Sequence, residues 1–263
     1  MPRALSRRTL IWAGLAACLL LIVGGVVAAR VLGARSVQRF DWYLALGDSL
    51  TVGVGAARPA EDGYAAQLQR RLAGGRATPV ATNLAVSGAT TRSMISGGQL
   101  QRASDFVRER GDTAGLVTIS IGGNDSARLY APCAFGTVEQ CRTLASEALT
   151  ATDQDLATIL RTIRDTAGPR TQIVVLTYYN PLQNPQCILH SRESLARAVL
   201  EGGAPLDLPR GLNAIIRERA AEVGARVADL SDLGAGELTV DCLHPTADGH
   251  ARIAGKVFDV IPS

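Results

Sequence analysis

Lysine is almost absent from this chain. Lys256 is the only lysine among 27 basic residues, and the others are arginine. That bias is a codon-usage signature and carries no functional meaning. Acidic residues are missing from the first 36 positions, where Arg3, Arg7, Arg8, Arg30 and Arg35 fall. Without those five cations the net charge of +3 becomes −2, so the remainder offers no electrostatic case for nucleic acid. Histidine is scarce, with only His190, His244 and His250 present. Asp241, His244, Asp248 and His250 match no zinc spacing, and Cys242 has no cysteine close to it in sequence, so no metal is expected. No repeat and no second globular domain is visible. What is abundant is apolar side chain: 47% of residues, against 19% charged, which excludes a disordered chain.

The longest apolar run, Leu10 to Ala29, follows Arg3, Arg7 and Arg8 and is closed by Arg30. Twenty helical residues span roughly 30 Å, the hydrocarbon thickness of a bilayer. The run fits a single membrane anchor with its positive flank inside, or a cleaved signal peptide cut near Ala28-Ala29. Its length favours the anchor. Ser6-Arg7-Arg8-Thr9-Leu10 also resembles a twin-arginine export signal. Leu15-Ala16-Ala17-Cys18 resembles a lipoprotein cleavage box, but the apolar run continues well past it. Each reading places residues 37–263 outside the cytoplasm, behind a short linker at 31–41. The expected division is therefore a segment 1–36 and one globular domain 37–263.

Within that domain, strand and helix patterns alternate. Apolar runs at Tyr43–Leu46, Val80–Ala85, Leu116–Ile121, Gln172–Tyr178 and Arg226–Asp229 read as strands. Helical patterns cover Gly63–Leu72, Gln99–Gly111, Leu144–Thr166, Leu212–Val223 and Ala247–Ile261. Pro181–Pro209 reads as a long loop holding at most a short helix. Such alternation predicts a parallel sheet with right-handed crossovers and helices on both faces.

The strand at Tyr43–Leu46 stops abruptly at Gly47-Asp48-Ser49, which puts Ser49 at the carboxyl end of a strand, where open α/β sheets hold their ligands. A serine there is a candidate nucleophile if a histidine reaches it. The same residues also fit a simple helix cap. Two further strands end in small polar turns, Ser87-Gly88-Ala89 and Gly122-Gly123-Asn124-Asp125, and Asp241-Cys242-Leu243-His244-Pro245 lies near the C-terminus.

These blocks together resemble the SGNH hydrolases, also called GDSL esterases and lipases. Gly47-Asp48-Ser49-Leu50, Gly88, Gly122-Gly123-Asn124-Asp125 and Asp-x-x-His-Pro from Asp241 to Pro245 match in family order across nearly the whole of residues 37–263. The resemblance implies a three-layer α/β/α sandwich with a flavodoxin-like parallel sheet, here preceded by one N-terminal hydrophobic helix. It implies a serine esterase or lipase that needs no cofactor. Ser49 would attack the ester carbonyl, His244 would serve as base and then acid, and Asp241 would hold the imidazole. The N–H groups of Ser49 and Gly88 and the side-chain amide of Asn124 would form the oxyanion hole. Asp125 is expected to stabilise its turn, His190 to lie on the surface and His250 to be structural. Tyr130, Tyr178, Tyr179 and Leu182 follow strand ends and suit either an acyl pocket or plain packing.

Expected substrates are small-molecule or lipid esters, including lysophospholipid and acetyl esters, met at a membrane held through residues 10–29. The protein is expected to be a monomer. Acyl transfer on the same residues, or silent binding of glycan or lipid, are the competing functions. Outside the N-terminal segment there are four cysteines, Cys133, Cys141, Cys187 and Cys242, and an even count in an exported chain favours disulfides. The short Cys133–Cys141 loop is the favoured first pair, which leaves Cys187–Cys242; buried free thiols are the alternative.

Overall fold

The computed structural model describes residues 38–74 and 77–262. The expected N-terminal anchor or signal segment, 1–36, lies outside the described residues. Five strands form the sheet: β1 (Trp42–Gly47), β2 (Val80–Asn83), β3 (Gly115–Ser120), β4 (Thr171–Leu176) and β5 (Arg226–Ala228). They are all parallel, in the order β2-β1-β3-β4-β5, the flavodoxin-like arrangement. The helices are α1 (Ser49–Val52), α2 (Pro59–Asp62), α3 (Tyr64–Ala73), α4 (Thr91–Ser96), α5 (Gln99–Arg110) and α6 (Gly123–Ala127). They continue as α7 (Tyr130–Phe135), α8 (Val138–Thr166), α9 (Glu193–Glu201), α10 (Leu212–Glu222) and α11 (Ala247–Val260).

Helices α3 and α11 pack together on one side of the sheet, while α8 lies between α5 and α10 on the other. Strands β1 and β3 are buried along their whole length, as a sheet covered on both faces requires; the two polar side chains of β3, Thr118 and Ser120, are paired with the Tyr43 and Tyr178 hydroxyls. Leu44, Leu46, Leu116 and Ile119 are fully buried there, each contributing roughly 1.5–3 kcal/mol. The chain leaves β1 toward β2 and later returns to the other side of β1 for β3. That reversal opens a crevice at the carboxyl ends of β1 and β3. The register sets Gly47 opposite Ser120, so the turns that follow these two strands begin level with one another.

Several elements differ from the sequence expectation, among them two helices. Helix α8 begins at Val138 rather than Leu144, because Thr137 and Gln140 form a reciprocal capping box, with bonds of 3.2 and 2.9 Å. Within the expected loop 181–209, α9 is a nine-residue helix that buries Leu195, Ala196, Ala198, Val199 and Leu200. Among the described residues no helix is long and apolar enough to cross a membrane.

Candidate active site

Ser49 is the first residue of α1, directly after the β1 turn. Asp48 caps that helix, its Oδ1 accepting from the Leu50 N–H at 3.0 Å. The capping and nucleophile readings thus fall on neighbouring residues and do not compete. Asp48 is 2% exposed, and its Oδ2 accepts a hydrogen bond from the Tyr178 hydroxyl at 2.8 Å. Burial pushes the Asp48 carboxyl up to about 6, against the opposing pull of the Tyr178 hydroxyl and the Leu50 amide. The Gly47 peptide is held on both sides by Gln99, whose Oε1 accepts from Gly47 N–H at 2.9 Å and whose Nε2 donates to Gly47 C=O at 3.1 Å.

His244 comes from the segment just before α11. Its Nε2 lies 2.8 Å from Ser49 Oγ, and its Nδ1 lies 2.6 Å from Asp241 Oδ2. With Nδ1 donating to the carboxylate, Nε2 is left free to accept the serine proton. Asp241 is folded back onto the ring by its other oxygen, which accepts from Thr239 Oγ1 at 2.6 Å and from the N–H groups of Leu243 and His244, both at 2.9 Å. Partial burial raises the Asp241 carboxyl, but the Thr239 hydroxyl, the His244 ring and these two amides together hold it well below the ordinary range. Asp241 is therefore an anion at neutral pH. The backbone at Cys242 takes a φ of +64°, which lets the loop close over only two residues.

Other elements fix this loop. The Tyr179 hydroxyl donates to Leu243 C=O at 2.5 Å, and Cys187 is disulfide-bonded to Cys242. Gly55 runs against it so closely that a Cβ there would sit 2.2 Å from Pro245 O and 3.0 Å from His244 Cβ. The Gly55 loop is in turn supported by buried His250. Its Nδ1 accepts from Tyr64 N–H and its Nε2 donates to Val54 C=O at 3.0 Å, the pattern of a neutral imidazole, and burial pushes its pKa down. His190 is half-buried and bonded through Nδ1 to Leu182 C=O, far from being a bare surface residue. The second bridge joins Cys133 to Cys141. Among the described residues no group of three or more His, Cys, Asp or Glu side chains is placed to hold a metal ion.

Ser49, Gly88, Asn124 and His244 line one cavity of about 210 Å³, whose other walls include Tyr130, Tyr178, Tyr179 and Leu200. The Ser49 N–H begins α1 and has no partner within the helix. Gly88 has a φ of +77°, and a Cβ there would meet open space. One N–H of Asn124 donates to Ala89 C=O at 2.9 Å, leaving its second N–H available. Asp125 does not line the cavity. It accepts from Thr91 N–H at 3.0 Å and Thr91 Oγ1 at 2.7 Å, stapling the Asn124 turn to the Gly88 turn. Leu182 is not part of this wall and belongs to a smaller cavity beside it.

The GDSL-like Lipase/Acylhydrolase family model matches residues 45–252. The chain belongs to this family. As a GDSL-type enzyme it is a serine ester hydrolase. Among solved structures it is similar to a lipase from a goat rumen metagenome, 24% identical, with TM-score 0.59 over 83% of this chain and 96% of that one. It is also similar to phospholipase A1 from Streptomyces albidoflavus, 23% identical, with TM-score 0.57 over 84% and 98%. An extracellular lipase from Streptomyces rimosus is 24% identical, with TM-score 0.58 over 83% and 98%. At these identities the likeness speaks to the fold. No curated protein matches the chain in sequence.

Several positioning side chains of this GDSL-type site escape sequence reasoning. Gln99 and Asn213 act on peptides 52 and 35 residues away. Asn213 brackets the Tyr178 peptide as Gln99 brackets Gly47, accepting from Tyr178 N–H at 2.8 Å and donating to its C=O at 2.7 Å. Thr239, only two residues before Asp241, could have been found as a short Asx-type partner.

Proposed function

We propose that this GDSL-type enzyme hydrolyses carboxylic esters through an acyl intermediate on Ser49. The Ser49 oxygen attacks the ester carbonyl carbon while its proton passes to His244 Nε2. The ionised Asp241 stabilises the imidazolium and keeps it oriented. The tetrahedral oxyanion is held by the N–H groups of Ser49 and Gly88 and by the Asn124 side chain. Collapse expels the alcohol, which takes the proton from His244. Water, deprotonated by the same ring, then attacks the acyl-serine and releases the acid. The observation that carries this reading is the continuous relay of 2.8 and 2.6 Å from hydroxyl to imidazole to carboxylate. That intact relay supports catalysis over silent binding in the cleft.

The cavity is small for a ligand site and mostly apolar, with Asp48, Ser87 and three tyrosines beside the reacting groups, which suits a compact, uncharged acyl group. Lipid, lysophospholipid or acetyl esters fit a catalytic domain at 37–263 tethered or exported by residues 1–36. Two disulfides support an oxidising compartment. The test is turnover of p-nitrophenyl acetate and butyrate by the full chain. Ser49→Ala is expected to abolish it, and Asp241→Asn to lower kcat by about 10³-fold or more. Asn124→Ala should lower it by roughly 10²- to 10³-fold. Turnover that survives Ser49→Ala refutes the nucleophile.

A further inference from the structure

Tyr130 lines the acyl cavity and also a second, smaller cavity whose walls include Leu129, Cys133, Leu182, Ala196 and Val199. One helix, α9, also lines both: Leu200 faces the first cavity, while Ala196 and Val199, up to a turn earlier, face the second. The second cavity measures only about 10 Å³, room for no more than a water, and its walls are apolar apart from Arg192. Arg192 is committed elsewhere, donating to Ala134 C=O at 2.6 Å. Tyr130 begins α7, which is tied to α8 by the Cys133–Cys141 bridge, so the ring stands on an anchored support.

We propose that the Tyr130 ring is the stop that sets acyl-chain length in this enzyme. The apolar channel continues past it and is filled by the phenol instead of by substrate. The ligand class that would occupy the second cavity once the ring is removed is the distal end of an unbranched acyl chain. Burial keeps the Tyr130 hydroxyl neutral, so the ring blocks the channel sterically at every working pH. This inference rests on the acyl-serine reading, because it takes the part of the Ser49 cavity lined by Tyr130 as the acyl side.

The experiment measures kcat/KM for p-nitrophenyl esters from acetate to decanoate, using the full chain in a non-ionic detergent. Each additional methylene that becomes buried is worth roughly fourfold in kcat/KM. Tyr130→Ala should therefore raise the octanoate-to-butyrate ratio by roughly tenfold or more. Tyr130→Phe should keep the wild-type ratio, because the ring and not the hydroxyl is the barrier. Adding Ala196→Phe to Tyr130→Ala refills the channel and should cancel the gain. If the alanine variant does not fold, Tyr130→Leu carries the same prediction with a smaller gain. An unchanged ratio in the truncated variant, or a gain that survives Ala196→Phe, overturns the proposal. Acetate turnover that Ser49→Ala abolishes, with an unmoved chain-length ratio, would sink this inference while leaving the acyl-serine mechanism standing. Turnover indifferent to Ser49→Ala would sink both.

Discussion

Asp48 offers a stability test whose sign is unusual for a carboxylate beside an active site. Replacing it by asparagine keeps the shape and the cap: the amide oxygen still accepts from Leu50 N–H. The amide N–H₂ then meets the Tyr178 hydroxyl, which can accept from it and donate instead to Ser120 Oγ, 3.2 Å away. What the change removes is a charge. In the folded protein the Asp48 carboxyl is raised from its ordinary 3.8 to about 6, burial being the largest cause. Folding therefore favours the protonated form. That contribution is fully present below the unfolded value and is lost as pH rises through the folded one. At about 1.4 kcal/mol per pH unit the loss amounts to about 3 kcal/mol, and Asp48 is buried deeply enough for little of it to be screened. Denaturant unfolding of wild type and Asp48→Asn across pH 4 to 8 isolates this group, because other titrations cancel in the difference. The wild type should lose about 2 kcal/mol relative to the variant between pH 4 and 6, with the gap levelling off above about pH 7. Parallel profiles across that range would refute the account.

Cys187→Ser and Cys242→Ser should lower esterase activity more than Cys133→Ser, because only the former bridge holds the segment bearing Asp241 and His244; equal losses would count against it. Asn213→Ala leaves the buried N–H and C=O of Tyr178 without their partner and should destabilise the protein by about 2–5 kcal/mol in urea unfolding. A loss below about 1 kcal/mol would mean that the Tyr178 peptide finds other partners.

Strands β1, β3 and β4 were legible in the sequence because each is an apolar run cut off by glycine or a polar turn, a pattern that needs no tertiary context. The same punctuation exposed Ser49, Gly88 and Asn124, since a turn at a strand end must show itself as small polar residues. Helix α9 was hidden because Pro181, Pro185, Pro205 and Pro209 surround it, and proline signals outweighed its short apolar stripe. The start of α8 was missed because the capping box at Thr137 and Gln140 precedes the first strongly apolar turn. Tyr178 read as the end of a strand, yet β4 stops at Leu176 and frees both tyrosines to reach the rim. Gln99 and Asn213 were illegible for a deeper reason: each is a polar side chain whose partner is a distant backbone peptide, and no local pattern records that.

Asn213, with Asp48, Tyr178 and Tyr179, explains how separate loops can hold the relay in place. The Ser49 turn is tied through Asp48 to Tyr178, and the Tyr178 peptide is bracketed by Asn213. The adjacent Tyr179 hydroxyl holds Leu243 C=O, and the next residue, His244, reaches back to Ser49. The chain of contacts is closed into a ring: each loop at the sheet edge is positioned by another loop, not only by its own strand. A closed ring has no free end to relax, so under the proposed mechanism the oxyanion donors would be set before substrate arrives, which is where such electrostatic stabilisation gains most. It also means that the links share their strain. Cutting one, at Tyr178 or at Tyr179, shifts geometry that the other was also maintaining. Double substitutions in this ring should therefore cost less in kcat than the sum of the single ones, whereas pairs drawn from the ring and from the distant Asp153–Arg219 contact should add.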